Sequence, residues 1–163
     1  VASDPEGIKG LRSASTNKSA DLARTAAMGQ AEKAGRLDDL VLELAETPLP
    51  MAEDYFTKIV VELVQNALKF SDSGLSVRVR LKSTAEGVEF SVQDDGRGFS
   101  AEQISRVGAY MQFERRMQDE QGFGLGLAIS KKLVELHGGE LLIASEPGIG
   151  STVSVKLPAA KAA

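Results

Sequence analysis

Two helical periodicities, each followed by a pair of alternating segments, constrain the fold of this chain more than any other feature. Over residues 53–70, Phe56, Val60, Leu63, Ala67 and Phe70 fall on one face of a helix. Val77, Val79 and Leu81 then alternate with Arg78, Arg80 and Lys82, which is the period of a half-buried strand. Ala85-Glu86-Gly87 turns the chain into a second strand of Val88, Phe90 and Val92. Leu125, Ile129, Leu133 and Leu136 mark a second amphipathic helix, stopped at His137-Gly138-Gly139. Residues 141–144 and 152–157 read as two more strands, joined at Glu146-Pro147-Gly148-Ile149-Gly150. Leu40, Leu42 and Leu44 alternate with Val41 and Glu43 in a short strand that Thr47-Pro48-Leu49-Pro50 ends. The order is strand, helix, two strands, helix, two strands. It predicts an α/β (α+β) two-layer sandwich: a mixed, mostly antiparallel sheet with helices on one face.

The first 36 residues differ from the rest. They carry no aromatic residue, few large aliphatics and a polar run at residues 13–19. Ala20 to Ala34 suits a weak Ala-rich helix limited by Gly29 and Gly35. The expected organisation is a linker or docking arm over 1–36, a globular domain over 37–158 and a frayed end over 159–163. The chain begins at Val1 and reads as a piece of something longer.

Composition narrows the chemistry. The 163 residues contain no Cys and one His, so disulfide scaffolds, thiolate zinc sites, Cys nucleophiles and Ser-His-Asp triads are poor candidates. The net charge of −4 speaks against a general nucleic-acid binder. No apolar run approaches the roughly 20 residues of a membrane span. No membrane contact and a reducing, cytoplasmic setting are expected.

Four places carry possible chemistry. Glu62, Asn66 and Lys69 are spaced to line up on one helix side. An acid, an amide and a cation in a row suit a metal-nucleotide, though the same spacing occurs on any solvated helix side. Asp94-Asp95-Gly96-Arg97-Gly98 ends a strand with a carboxylate, an acceptor for an adenine amino group, beside glycines that allow close approach. A plain turn is the alternative. Gly122-Phe123-Gly124-Leu125-Gly126-Leu127 opens a helix with bare backbone N–H groups, an anion site suited to phosphates. Its spacing is neither the dinucleotide fingerprint nor a P-loop. Gly148-Ile149-Gly150-Ser151-Thr152 reads either as a further site element or as a hairpin turn.

Together and in this order, these pieces resemble the N, G1, G2 and G3 boxes of the ATP-binding domain of sensor histidine kinases, which has the Bergerat fold. Residues 62–71 resemble the N box, 94–99 the G1 box, 122–129 the G2 box, and 150–153 with Leu157-Pro158 the G3 box. The resemblance covers about residues 37–158. It implies that Asn66 holds Mg²⁺ on the phosphates of ATP and that Lys69 contacts a phosphate. Asp94 would take the adenine amino group, and Gly96 and Gly98 would shape the base pocket. Gly122, Gly124, Leu125, Gly126 and Leu127 would cradle phosphate. Residues 99–121 would form a mobile lid, with Phe113 as its aromatic and Arg115 or Arg116 reaching the γ-phosphate. Ser151 stands where the family usually has Thr and would touch the nucleotide. His137 would be structural.

The resemblance also implies phosphoryl transfer to a histidine on a dimerisation and phosphoacceptor domain, with a response-regulator receiver domain downstream. This chain shows no such acceptor motif, so it should bind ATP, lack autophosphorylation alone and be a monomer. Glu62 stands where many of these kinases have Asn. Either it assists as a base or it completes the Mg²⁺ site. The alternatives are a serine kinase of the anti-sigma type and a non-catalytic nucleotide-sensing module of the same fold.

Overall fold

A computed structural model describes residues 18–96, 125–146 and 148–159. The elements in order are α1 (Ser19–Lys33), a short 3-10 turn (Leu37–Asp39), β1 (Leu40–Leu44), α2 (Glu53–Lys69), β2 (Val77–Thr84), β3 (Gly87–Asp94), α3 (Leu125–Leu136), β4 (Glu140–Glu146) and β5 (Gly150–Pro158). The strands form one sheet in the order β1-β2-β3-β5-β4. β1 and β2 are parallel because α2 crosses between them, and the other three pairs are antiparallel. The mixed, mostly antiparallel sheet and its helical layer are those expected from the periodicities.

Alternation decides which face is covered. The paired residues Leu42, Val79, Val92, Val153 and Ile143 make an apolar row across all the strands. Val79, Val92 and Val153 are buried, and Leu42 and Ile143 pack against the core from the edge strands. The neighbouring row on the opposite face runs Glu43, Arg80, Ser91, Ser154 and Leu142. There Arg80 Nε meets Glu43 Oε2 at 2.5 Å. Such an exposed pair adds about 1 kcal/mol at most.

α2 is the central helix. Phe56, Val60, Leu63 and Ala67 are buried as predicted, and Phe56 meets Phe90 of β3 edge-on at 5.5 Å between centroids. Val64 and Leu68 are buried too, towards the side of α2 that α1 covers, and Ile59 is buried on the opposite flank. α1 makes that contact with small residues: Ala23, Ala27 and Ala31 recur at helical spacing and are wholly buried. Its first turn is fastened to the chain leaving β1. Ser19 Oγ donates to the Thr47 carbonyl at 2.5 Å, and the Ala20 amide donates to Glu46 Oε1 at 2.9 Å.

α3 corrects the predicted apolar stripe. Leu127, Ser130, Val134 and His137 form the buried row, while Ile129 is exposed and Leu133 and Leu136 are only half-buried. Two polar residues, Ser130 and His137, share the inward face with Leu127, Ala128 and Val134. His137 Nδ1 lies 2.6 Å from the Leu133 carbonyl, which requires the proton on Nδ1. Its ring packs on Tyr55 at 5.7 Å between centroids. Its Nε2 is buried without a hydrogen-bond partner among the described residues.

Candidate functional site

The site is built around α2, with β3, β5 and α3 meeting it. Asp94 ends β3 and is 4% exposed. Its Oδ1 accepts the Gly96 amide at 2.9 Å and its Oδ2 accepts the Ser151 hydroxyl at 2.8 Å. Asp94 and Ser151 are direct partners in the β3–β5 ladder, so the strand pairing itself delivers the second donor. Burial pushes the Asp94 carboxyl above the usual carboxylate range, against the pull of the Gly96 and Ser151 hydrogen bonds. The charge of Asp95 adds to the rise and that of Arg36 opposes it. Each carboxylate oxygen has two acceptor directions, so one on each remains for a ligand donor.

Gly96 is pressed against the end of α2. A Cβ there would overlap the Phe70 carbonyl oxygen and lie 2.8 Å from Ser71 Cα. Backbone meets backbone, and only glycine fits. A second close approach joins α3 to α2. A Cβ on Gly126 would overlap Glu62 Oε2 and lie 2.9 Å from its Cδ. Residue 126, in the first turn of α3, therefore lies against the Glu62 carboxylate. The two contacts stand at residues 62 and 71 of one helix and its exit, roughly 13 Å apart along the axis.

Asn66 lies between them and is 8% exposed. Its Nδ2 donates to the Glu62 carbonyl at 2.8 Å, so the amide oxygen is the end turned away from the helix backbone. An amide oxygen with a nearby carboxylate is a hard-oxygen set that fits Mg²⁺, which takes one or two protein ligands beside phosphates and water. Lys69 is exposed, its Nζ 5.6 Å from the Phe70 ring centroid. Leu127 has its side chain in the core, so only its backbone can serve a ligand.

The predicted residues thus fall in two groups: Asp94, Gly96 and Ser151 at the strand ends, and Glu62, Asn66 and Lys69 on α2, with Gly126 of α3 against Glu62. Gly98, Phe113, Arg115, Arg116, Gly122 and Gly124 lie outside the described residues, as do the expected lid and the Leu125 side chain. A cavity of about 240 Å³ opens beside Asp94, lined by Gln93, Asp95, Ser145, Ile149 and Gly150 among others. None of its lining comes from α2, so it does not reach Asn66. Sequence reasoning missed Arg36. The signal available was only an Arg after a helix-ending glycine, three residues before Asp39.

Residues 51–161 match the family model described as histidine kinase-, DNA gyrase B-, and HSP90-like ATPase. The chain belongs to this ATPase family. It is 43% identical over 102 residues to the histidine protein kinase DivJ of Caulobacter vibrioides, an alignment covering 62% of this chain and 17% of DivJ. The chain therefore spans only a small part of such relatives. Among solved structures it is similar to a mycobacterial sensor histidine kinase, MprB, with a TM-score of 0.69 and 25% identity over 89% of this chain and 96% of that one. It is also similar to full-length ShkA, solved in complex with AMPPNP. There the TM-score is 0.71 and the identity 26%, over 94% of this chain and 32% of ShkA. The fold is that of histidine kinase ATPase domains. Among the described residues, no helix is long and apolar enough to cross a membrane.

Proposed function

We propose that this domain binds Mg-ATP and transfers the γ-phosphoryl group to a histidine on the phosphoacceptor and dimerisation domain of a longer sensor kinase. The observation that carries the proposal is Asp94: a buried carboxylate at a strand end, oriented by two donors, with acceptor directions left over. That arrangement suits the amino group of adenine and disfavours guanine, which presents a carbonyl at the same position. The kinase names of the relatives and the AMPPNP in ShkA support the same reading.

Roles follow from placement. Asn66 would hold Mg²⁺ through its amide oxygen, with Glu62 assisting as base or through water. Mg²⁺ supplies charge neutralisation on the phosphates. Lys69 sits at the exposed end of α2, where its ammonium is suited to a phosphate. The start of α3 offers backbone N–H groups to the same anion. The chain's own work is positioning and electrostatic stabilisation, which is most of what phosphoryl transfer asks of a protein. Gly98, Phe113, Arg115, Arg116, Gly122 and Gly124 keep their expected parts in this reading.

The transfer bears on a domain outside this stretch, and a response-regulator receiver would take the phosphoryl group next. The segment over 1–36 would connect to the acceptor domain, with 37–158 as the catalytic unit. By itself the chain would be a cytoplasmic monomer without autophosphorylation. Calorimetric titration with AMPPNP, with and without Mg²⁺ and with a guanine analogue as control, tests the site. Micromolar, Mg-sensitive, adenine-selective binding is expected. Equal binding of the two bases, or parental affinity in Asp94→Asn, would overturn the assignment.

A further inference from the structure

Arg36 belongs to none of the motifs, yet it is 6% exposed and all its guanidinium nitrogens are engaged. Nε donates to Asp39 Oδ2 at 2.7 Å. Nη1 donates to the Leu68 carbonyl at 2.8 Å, the Ser71 carbonyl at 2.9 Å and Ser71 Oγ at 3.1 Å. Nη2 donates to the carbonyls of Asp72 at 2.8 Å and Leu75 at 3.0 Å. The Leu68 carbonyl is in the last turn of α2, where the helix supplies no partner of its own and a cation is electrostatically favoured. Ser71 Oγ in turn donates to the Ala67 carbonyl at 2.6 Å. Asp39 secures the same connection from its other side by accepting the Gly74 amide at 2.9 Å. These bonds hold the Asp39 carboxyl below the usual range, the Arg36 bond contributing most. One buried fork thus grips the whole turn from α2 to β2.

That turn is also the wall behind the base site. Phe70 and Ser71 press against Gly96 with no room for a methyl group, and the Gly96 amide holds Asp94 Oδ1. A shift of a few tenths of an ångström at residues 70–71 has no slack to absorb it before it reaches Asp94. Arg36 is tied backward as well, its own amide bonded to the Ala31 carbonyl at the end of α1.

We infer that Arg36 is a positioning residue for the base pocket: it fixes residues 70–71 as the surface that seats Gly96 and so orients the Asp94 carboxylate. The inference rests on the reading of Asp94 as the adenine acceptor. A Lys cannot replace the fork, because an ammonium is a point charge with three donors and cannot reach acceptors spread over Asp39, Leu68, Ser71, Asp72 and Leu75.

The test compares the chain with its Arg36→Ala and Arg36→Lys variants, each first shown to be folded by circular dichroism at a temperature well below its melting point. AMPPNP with Mg²⁺ and a guanine analogue are then titrated into each. Arg36→Ala should bind AMPPNP roughly tenfold more weakly. Millimolar guanidinium ion should restore the affinity while leaving the parent unchanged. If Arg36→Ala does not fold, Arg36→Lys decides alone, with an expected loss of about threefold or more. Parental affinity in either folded variant overturns the inference. So does a loss in Arg36→Ala that guanidinium ion fails to restore. Failure of the parent itself to prefer AMPPNP would instead remove the adenine reading on which the inference stands.

Discussion

Ser151 Oγ donates to Asp94 Oδ2 across the β3–β5 ladder at 2.8 Å, joining residues 57 apart in the chain. The bond is buried, so its loss leaves an acceptor without its donor. Ser151→Ala should weaken adenine-nucleotide binding by about three- to tenfold. Ser151→Thr, which keeps the hydroxyl, should bind like the parent. Titration of both variants with AMPPNP checks this, and equal weakening by Ala and Thr would mean that space, not the hydroxyl, matters at this position.

Asp94→Asn should separate stability from function. The native pKa of Asp94 lies above its unfolded value, chiefly through burial. Between those two values the folded state binds more protons, so stability falls as pH rises through that window. The variant removes this step. Its melting temperature at neutral pH should therefore exceed the parent's, while below the unfolded carboxyl value, about pH 4, the advantage should vanish. Adenine selectivity should be lost throughout. A melting curve that drops equally at both pH values would contradict the burial argument.

Two glycines should respond differently to the same added methyl group. Gly96→Ala drives Cβ into the backbone of Phe70 and Ser71, which cannot step aside. A loss of about 1–3 kcal/mol is expected, read by urea unfolding. Gly126→Ala meets only the flexible end of Glu62 and gains up to about 1 kcal/mol of helix preference. It should fold at least as stably as the parent, but with the Glu62 carboxylate displaced. Phosphotransfer to a supplied acceptor domain should then fall by a larger factor than AMPPNP affinity does. If Gly126→Ala transfers at the parental rate, Glu62 has no part in the reaction.

Asn66→Ala removes the amide but, among the described residues, cuts no bond between elements, since the Asn66 side chain bonds back to its own helix. The melting temperature should stay close to the parent's. AMPPNP binding should persist without Mg²⁺, and the enhancement by Mg²⁺ should disappear. An undiminished Mg²⁺ effect would remove Asn66 from the metal site.

The expected elements rest on local patterns. The alternation in Val77–Leu81 and the helical spacing from Phe56 to Ala67 predict strand and helix because each depends on near neighbours alone. Those patterns left the rotation of α3 undetermined. Its residues fit more than one stripe, and the one chosen by packing includes Ser130 and His137 rather than Ile129. Arg36 was equally illegible, since its acceptors lie 32 to 39 residues away apart from Asp39.

By itself the sequence determined the secondary elements, the layer architecture and the candidate residues Glu62, Asn66, Asp94 and Ser151, each standing within a short motif of fixed spacing. Tertiary structure alone decided which of them touch: Ser151 with Asp94, Gly126 with Glu62, Gly96 with the end of α2, and Arg36 with the turn behind it. Local periodicity is set by backbone geometry over a few residues. Contacts between distant residues exist only once strand order and helix packing have brought them together, and no spacing in the chain encodes that distance directly.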